Sequence, residues 1–280
     1  MAIENPLPAA FIESQVKLAL LEDIGQRDLT ADLIPVDAVA SASLITREDA
    51  TLCGKDWFTA VFAQLDTSID IQWHAEDGDQ LEANAIICTL TGSARALLSG
   101  ERTAMNFLQT LSATATLARQ YADAVSGLAV KVLDTRKTLP GWRVAQKYAV
   151  RCGGCFNHRF GLYDGILIKE NHINAAGSIT AAVAQAKTLH PTVSVEVEVE
   201  SMDELKQALS AKADIVLLDN FDTEQLQQAV AFNQGQAQLE ASGGISLGNI
   251  RDIAETGVDR ISVGALTKDI KAVDLSLRFQ

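Results

Sequence analysis

Asp214-Ile215-Val216-Leu217-Leu218-Asp219-Asn220, a helical stretch over 224–232, and then Gln238-Leu239-Glu240-Ala241-Ser242-Gly243-Gly244 form the segment that decides the fold. Two short apolar runs flank an amphipathic stretch, and each run ends in polar residues. A strand apolar on both faces, returned by a helix to a second such strand, reads as a parallel βαβ unit. The pattern extends on either side, with strands predicted over 130–133, 165–168, 193–199 and 260–263 and helices over 141–151, 178–189, 202–210 and 247–255. A parallel sheet covered by helices follows, and a barrel is its expected closed form.

The strand ends carry the functional signal. The strand over 130–133 runs into Asp134-Thr135-Arg136-Lys137, that over 165–168 into Lys169-Glu170-Asn171-His172, and the two quoted strands into Asp219-Asn220 and Ser242-Gly243-Gly244. Barrel enzymes place their chemistry on the C-terminal rim, where loops vary without disturbing the packed interior, so four polar tips on one rim predict an active site. Ser242-Gly243-Gly244, before a helix with Ser246 as its expected cap, and Gly264 after the last strand let backbone N–H groups approach a phosphate. Small side chains at 243 should keep that approach open.

Residues 1–128 read as a separate α+β domain. A helix is predicted over 11–21, strands over 42–46, 69–74 and 86–90, and a turn at Glu76-Asp77-Gly78-Asp79. A long helix is predicted from Ser99, as N-cap, to Val125, ended by Gly127. That start puts Arg102 in the first turn, where a cation opposes the helix dipole, a hint that it serves a ligand or a neighbouring subunit. The expected organisation is 1–128, joined by the C-terminal tail 266–280, and a barrel over 129–265.

The chain has 280 residues and a net charge of −13, which disfavours nucleic acid and anionic membrane surfaces as partners. The basic residues are nevertheless gathered: from Lys131 to His172 eight of them face three acids, a net of +5. A compact cationic focus in an acidic body suits a small polyanion. No apolar run approaches the length of a membrane span, and the N-terminal residues show no signal pattern, so a cytoplasmic location is expected. Cys152-Gly153-Gly154-Cys155 suggests zinc or redox chemistry, but the only other cysteines are Cys53 and Cys88, so reduced thiols are expected.

Val195-Glu196-Val197-Glu198-Val199-Glu200 alternates strictly, so the carboxylates share one face and the valines the other. This fits an edge strand with one face in water. It also fits a barrel strand whose glutamates face the lumen and need cationic or metal partners, for which Lys169 is a candidate. At the rim, Glu198 with Asp219 could hold Mg²⁺ or accept hydrogen bonds from sugar hydroxyls.

Taken together, several motifs resemble the quinolinate phosphoribosyltransferase family, also called carboxylating nicotinate-nucleotide pyrophosphorylases. They are Glu22-Asp23-Ile24-Gly25 with Asp28-Leu29-Thr30, Gly100-Glu101-Arg102-Thr103-Ala104-Met105-Asn106, Asp134-Thr135-Arg136-Lys137-Thr138-Leu139-Pro140-Gly141, and His158-Arg159 with Gly161-Leu162 and Asp164. Leu167-Ile168-Lys169-Glu170-Asn171-His172, the glutamate strand, Leu217-Leu218-Asp219-Asn220 and Ser242-Gly243-Gly244-Ile245 continue the series. The resemblance spans nearly the whole chain in the family's order.

It implies an N-terminal α/β sandwich followed by an incomplete α/β barrel, usually described with seven strands where six are identified here. It implies a homodimer in which Arg102 enters the partner's site. The implied reaction joins quinolinate to phosphoribosyl pyrophosphate with Mg²⁺, giving nicotinate mononucleotide, pyrophosphate and carbon dioxide. Arg102, Arg136 and Arg159 would clamp the two carboxylates of quinolinate, with His158, Lys137 and Lys169 nearby. Glu198 and Asp219 would hold ribose hydroxyls or, directly or indirectly, the metal. Ser242, Gly243, Gly244 and Gly264 would take the phosphate. Cys155 replaces a third consecutive glycine common in the family, and a local backbone adjustment is expected there. Two rivals are a phosphoribosyltransferase-like protein of molybdenum-transport operons and a non-catalytic nucleotide sensor on the same scaffold. The arginine set disfavours the first and the Glu198–Asp219 pair the second.

Overall fold

The computed structural model describes residues 7–280. In chain order its elements begin with α1 (Ala9–Ile24), β1 (Val39–Thr46), β2 (Ala50–Thr51), α2 (Lys55–Leu65), β3 (Asp70–Trp73), β4 (Gln80–Leu81), β5 (Ile86–Ser93) and α3 (Ala94–Ala124). They continue with β6 (Lys131–Leu133), α4 (Arg143–Cys152), β7 (Ile166–Ile168), α5 (Glu170–Ala176), α6 (Ile179–Leu189), β8 (Val195–Val199), α7 (Met202–Ser210) and β9 (Ile215–Asp219). The last are α8 (Thr223–Asn233), β10 (Gln238–Ser242), α9 (Ile250–Glu255), β11 (Arg260–Ser262), α10 (Ala265–Lys268) and β12 (Leu275–Phe279).

The chain divides into two compact units. The first runs to Arg119 and takes in Arg151–Gly154 and Ile270–Gln280. It is built on an antiparallel sheet in the order β12-β1-β5-β3, in which β12 brings the C-terminal residues back to pair with β1, Leu277 opposite Leu44. Trp57, Phe58 and Phe62 of α2 are fully buried, with Phe58 edge-on to Phe62 at 5.2 Å between ring centres and to Trp73 at 5.4 Å. Such rings supply a large share of a small domain's apolar burial. The division falls inside α3, between Arg119 and Gln120, ahead of the boundary expected at residue 128. The tail that joins this unit begins at Ile270, because α10 stays with the second unit.

Two expectations on α3 are corrected. The helix starts at Ala94, five residues before Ser99, whose hydroxyl instead donates to Asp28 Oδ2 at 2.7 Å. Arg102 is therefore the ninth helical residue, past the first turn, and the dipole gives no reason for its placement. The expected cap at Ser246 is likewise displaced: α9 is preceded by Asn249, whose Oδ1 accepts the Ser246 N–H at 2.8 Å.

The second unit comprises residues 120–150 and 155–269 and carries a six-stranded sheet, all parallel, in the order β6-β11-β10-β9-β8-β7. The first strand pairs with the last, so the sheet curls back on itself, but the consecutive strands β6 and β7 are not paired. The barrel is open at that seam. Phe156 bridges Leu133 there, its N–H reaching Val132 O at 2.8 Å and its carbonyl accepting the Asp134 N–H at 3.1 Å. A seventh strand is thus reduced to a single bridge. Val195, Val197 and Val199 are fully buried, with Glu196 buried and Glu198 half-buried between them, as a barrel strand requires and a half-wet edge strand does not.

Candidate active site

Two adjoining pockets open at the C-terminal ends of these strands. One, of about 330 Å³, is lined by Arg136, Lys137, His158, Arg159, Lys169 and Glu198 among others. Its neighbour, of about 440 Å³, is lined by Asp219, Asn220, Gly243, Gly244, Gly264 and Lys268 among others. Thr135, Lys137, Ser242 and Ser262 belong to the walls of both. The first pocket is cationic and the second glycine-rich, and Lys137 faces each.

The cationic side is held by a buried ion pair. Asp134 and Lys147 are both fully buried and in direct contact, and burial pushes the acid's pKa up and the lysine's down while their pairing opposes both shifts. Asp134 also accepts the His158 N–H at 2.9 Å and the Asn157 amide at 2.6 Å, and Lys147 donates to His158 O at 3.0 Å. This pair therefore ties the strand end before Arg136 to the loop that presents His158 and Arg159, across the seam where sheet hydrogen bonds run out. Arg143 adds a second tie, donating to Phe160 O at 3.0 Å and Arg136 O at 3.4 Å. Arg159 donates to Gly165 O at 2.9 Å, and burial, then the Arg136 charge, lower its pKa.

His158 is turned inward. Its Nε2 lies 3.1 Å from Glu196 Oε2 and 3.4 Å from Glu240 Oε1. Burial disfavours the charged ring, but pairing with the two carboxylates outweighs it and holds the pKa at about 9. Nδ1 accepts the Arg159 N–H at 2.8 Å, so a second ring proton would displace that bond. Glu240 is fully buried and pairs through Oε2 with Arg260 Nε at 2.8 Å. His158, Glu196 and Glu240 have ligand-type atoms within 4.8 Å of one another, but the Arg260 guanidinium already balances charge there.

Lys169 follows β7 and contacts Glu198 of β8, the partner expected for that carboxylate. The residues after Lys169 form α5 where a loop was expected: the Lys169 N–H donates to His172 Nδ1 at 3.0 Å and helps to start the helix. Asp219, one strand further on, has its pKa raised by burial and by the Glu198 charge, opposed by Lys169. Asn220 adopts φ 58°, tolerable for Asn, and its N–H bonds Ser242 O at 2.9 Å. A side chain at Gly243 would overlap Asn220, and Gly243 sits at φ 97°. That glycine is needed for the turn itself, whatever it also does for a ligand. Gly244 and Gly264 leave the room: a Cβ at Gly244 meets nothing within 4 Å, and at Gly264 only the tips of Lys137 and Thr135, the nearest at 3.2 Å.

The sequence profile of the quinolinate phosphoribosyl transferase C-terminal domain matches residues 114–278, and that of the N-terminal domain residues 28–112. The chain belongs to the quinolinate phosphoribosyltransferase family. A probable carboxylating nicotinate-nucleotide pyrophosphorylase of Bacillus subtilis is 40% identical, over 92% of this chain and 89% of that protein. The carboxylating nicotinate-nucleotide pyrophosphorylase of Mycobacterium leprae is 39% identical, over 94% of this chain and 95% of that protein. Among solved structures, the nicotinate-nucleotide pyrophosphorylase of Francisella tularensis superposes with a TM-score of 0.96 at 51% identity, over 99% of this chain and 98% of that one. The two-part fold, with its incomplete barrel, is the fold of the family.

Eleven of the twelve residues singled out from sequence line these two pockets. The twelfth, Arg102, is exposed on α3 in the first unit. Sequence reading missed Asp134 and Lys147 as a buried pair, and the cluster that Glu196, Glu240 and Arg260 form behind His158. The Glu alternation carried a signal for Glu196; no spacing pattern marks Glu240 or Arg260, which meet only in the folded sheet. At the family's Cys155 departure the backbone needs no glycine: φ is not positive, and its N–H bonds Val150 O at 3.1 Å. Gly153 is the position that does, since a Cβ there would overlap Ala115 and Ala118 of α3.

Proposed function

We propose that the enzyme transfers a phosphoribosyl group from phosphoribosyl pyrophosphate to quinolinate with loss of carbon dioxide, giving nicotinate mononucleotide and pyrophosphate. The observation that carries this reading is the pair of adjoining pockets with Lys137 in the wall of both. Quinolinate, with two adjacent carboxylates, suits the cationic pocket, because planar guanidinium groups of Arg136 and Arg159 can bind carboxylates in bidentate fashion. The glycine-rich pocket suits the 5′-phosphate, which backbone N–H groups at Gly243, Gly244 and Gly264 can approach. The ring nitrogen and C1′ of the ribose then meet where the pockets join.

At that junction bond cleavage leaves positive charge on the ribose and negative charge on departing pyrophosphate. Lys137 and Lys169 offset the second, and Glu198 with Asp219 hold the ribose hydroxyls and favour the first. Glu198 and Asp219 are neighbouring carboxylates on adjacent strands, close enough for one charge to act on the other, a donor set that fits Mg²⁺ shared with substrate oxygens. When bound, Mg²⁺ would supply charge neutralisation of the pyrophosphate. Decarboxylation needs little help from the protein, because the quaternary ring nitrogen stabilises the carbanion left at C2.

The same reading includes a homodimer in which Arg102 completes the partner's quinolinate pocket. Arg102 is exposed, and its helix face is tied to the end of α1 by a Thr103–Asp23 hydrogen bond of 3.2 Å and to the segment after α1 by a Ser99–Asp28 hydrogen bond of 2.7 Å. That segment leads into Leu29, Leu33, Val36 and Val39, each more than two-thirds exposed, an apolar strip that a second subunit would cover. No helix among the described residues is long and apolar enough to cross a membrane, and all four cysteines are reduced thiols, which supports a cytoplasmic site for the reaction.

Purified protein incubated with quinolinate, phosphoribosyl pyrophosphate and Mg²⁺ should form nicotinate mononucleotide, followed by chromatography; its absence with folded protein sinks the reading. A second test separates the pockets. Gly264 has ordinary helical φ, so Gly264→Val tests space with little backbone strain. It should raise KM for phosphoribosyl pyrophosphate about tenfold, roughly 1.4 kcal/mol, with KM for quinolinate changed much less. Equal rises in both constants would remove Gly264 from the phosphate site.

A further inference from the structure

Arg136, Lys137, Arg159 and Lys169 line the first pocket together with His158, and Arg260 lies behind Glu240 of the same wall. The Arg136 charge acts directly against Arg159. Two carboxylates lie beneath them. Glu240, on β10, is fully buried and bridges Arg260 of β11 at 2.8 Å and His158 at 3.4 Å. Glu196, on β8, is 4% exposed, meets the same His158 nitrogen at 3.1 Å, and acts favourably on Arg159. Glu196 Oε1, both Glu240 oxygens and Arg260 Nε lack a partner of hydrogen-bond geometry among the described residues, so the contacts of Glu240 are ion pairs by distance. Charges buried this deeply are costly, and an ion pair in the interior is weak evidence for stability, so their place under an anion pocket calls for another reason.

We propose that Glu196 and Glu240 are built-in counter-anions that hold the guanidinium and imidazole groups of the empty pocket in the arrangement that receives a dicarboxylate. They are positioning residues, acting on the substrate through His158 and Arg159. The inference rests on the reading of this pocket as the quinolinate site. Its sign sets it apart from simple electrostatics. Removing negative charge from an anion pocket strengthens anion binding by Coulomb's law alone, whereas loss of a positioning counter-anion weakens it, because the cations spread and must be gathered again when substrate binds.

The test compares the wild-type enzyme with Glu240→Gln, Glu196→Gln and Glu240→Asp. Glu240→Gln should raise KM for quinolinate at least tenfold, leave KM for phosphoribosyl pyrophosphate within about twofold and kcat within about threefold; these are expectations for pocket order, not for the chemical step. Glu240→Asp, which keeps the charge, should recover part of the loss. Phthalate, the same dicarboxylate without the ring nitrogen, cannot react, and its affinity measured by calorimetry should fall in parallel with the rise in quinolinate KM. An unchanged or lowered quinolinate KM with unchanged or tighter phthalate binding overturns the proposal, as does an equal rise in both Michaelis constants. If Glu240→Gln does not fold, Glu196→Gln is read by the same criteria. A wild-type protein that binds phthalate but does not turn over quinolinate overturns the proposed reaction instead, and phthalate binding by the variants still decides the role of the carboxylates.

Discussion

Replacing Lys137 with alanine is expected to lower kcat/KM by at least tenfold, about 1.4 kcal/mol of transition-state stabilisation, and Lys169→Ala should do the same. Lys137 stands in the wall shared by both pockets, the one place from which a single cation can meet charge developing between them. Its backbone is fixed in that position by hydrogen bonds. Thr267 donates its hydroxyl to Lys137 O at 2.7 Å, and buried Gln146 donates to Thr267 O and accepts the Leu139 N–H, each at 2.8 Å. Lys169 contacts Glu198, so its loss removes a cation and also leaves that carboxylate without its partner. Steady-state kinetics on folded variants provide the check. Near wild-type turnover in both would take these lysines out of the site.

The second large effect concerns Arg102. An Arg102→Ala chain and a Lys169→Ala chain, each nearly inactive alone, should regain activity when mixed and allowed to exchange subunits. In a mixed dimer one site has lost both groups, while the other receives intact Arg102 from one chain and intact Lys169 from its partner. In a fully scrambled equal mixture about half the molecules are mixed, with one good site of two, so roughly a quarter of wild-type activity should return. If Arg102 serves its own chain, a mixed dimer holds no intact site and nothing returns. Absence of recovery despite verified exchange would refute the shared site and leave the role of Lys169 untouched.

The parallel unit was legible because each strand–helix step repeats a local pattern. Apolar runs with polar tips place side chains on the rim by geometry alone, which is why Arg136, Lys137, Lys169, Asp219 and Ser242 could be named without a structure. The first unit was less legible. Helix α2 carries a clear buried face in Trp57, Phe58, Val61 and Phe62, yet its start has no local cap. The N–H groups of Gly54 and Lys55 are instead met by Asp77 Oδ1 at 3.1 and 3.3 Å, from 23 and 22 residues away. Ser99 misled for the converse reason: a residue typical of helix caps sits inside a helix because its hydroxyl finds Asp28, 71 residues distant.

What the sequence by itself determined is the alternation, the order of strands and helices, and the cationic segment, because each depends on neighbours along the chain. What only the tertiary structure decided is which charges meet. Of the three alternating glutamates, Glu198 finds Lys169, Glu196 goes under His158, and Glu200 stays exposed. Glu240 and Arg260 carry no pattern at all and become a pair only because β10 and β11 lie side by side with Glu240 opposite Arg260. The position of the barrel's open seam is of the same kind. There Asp134 and Lys147 bury opposite charges against each other where backbone pairing stops, a balance of desolvation and Coulomb attraction that arises only once the folded segments meet.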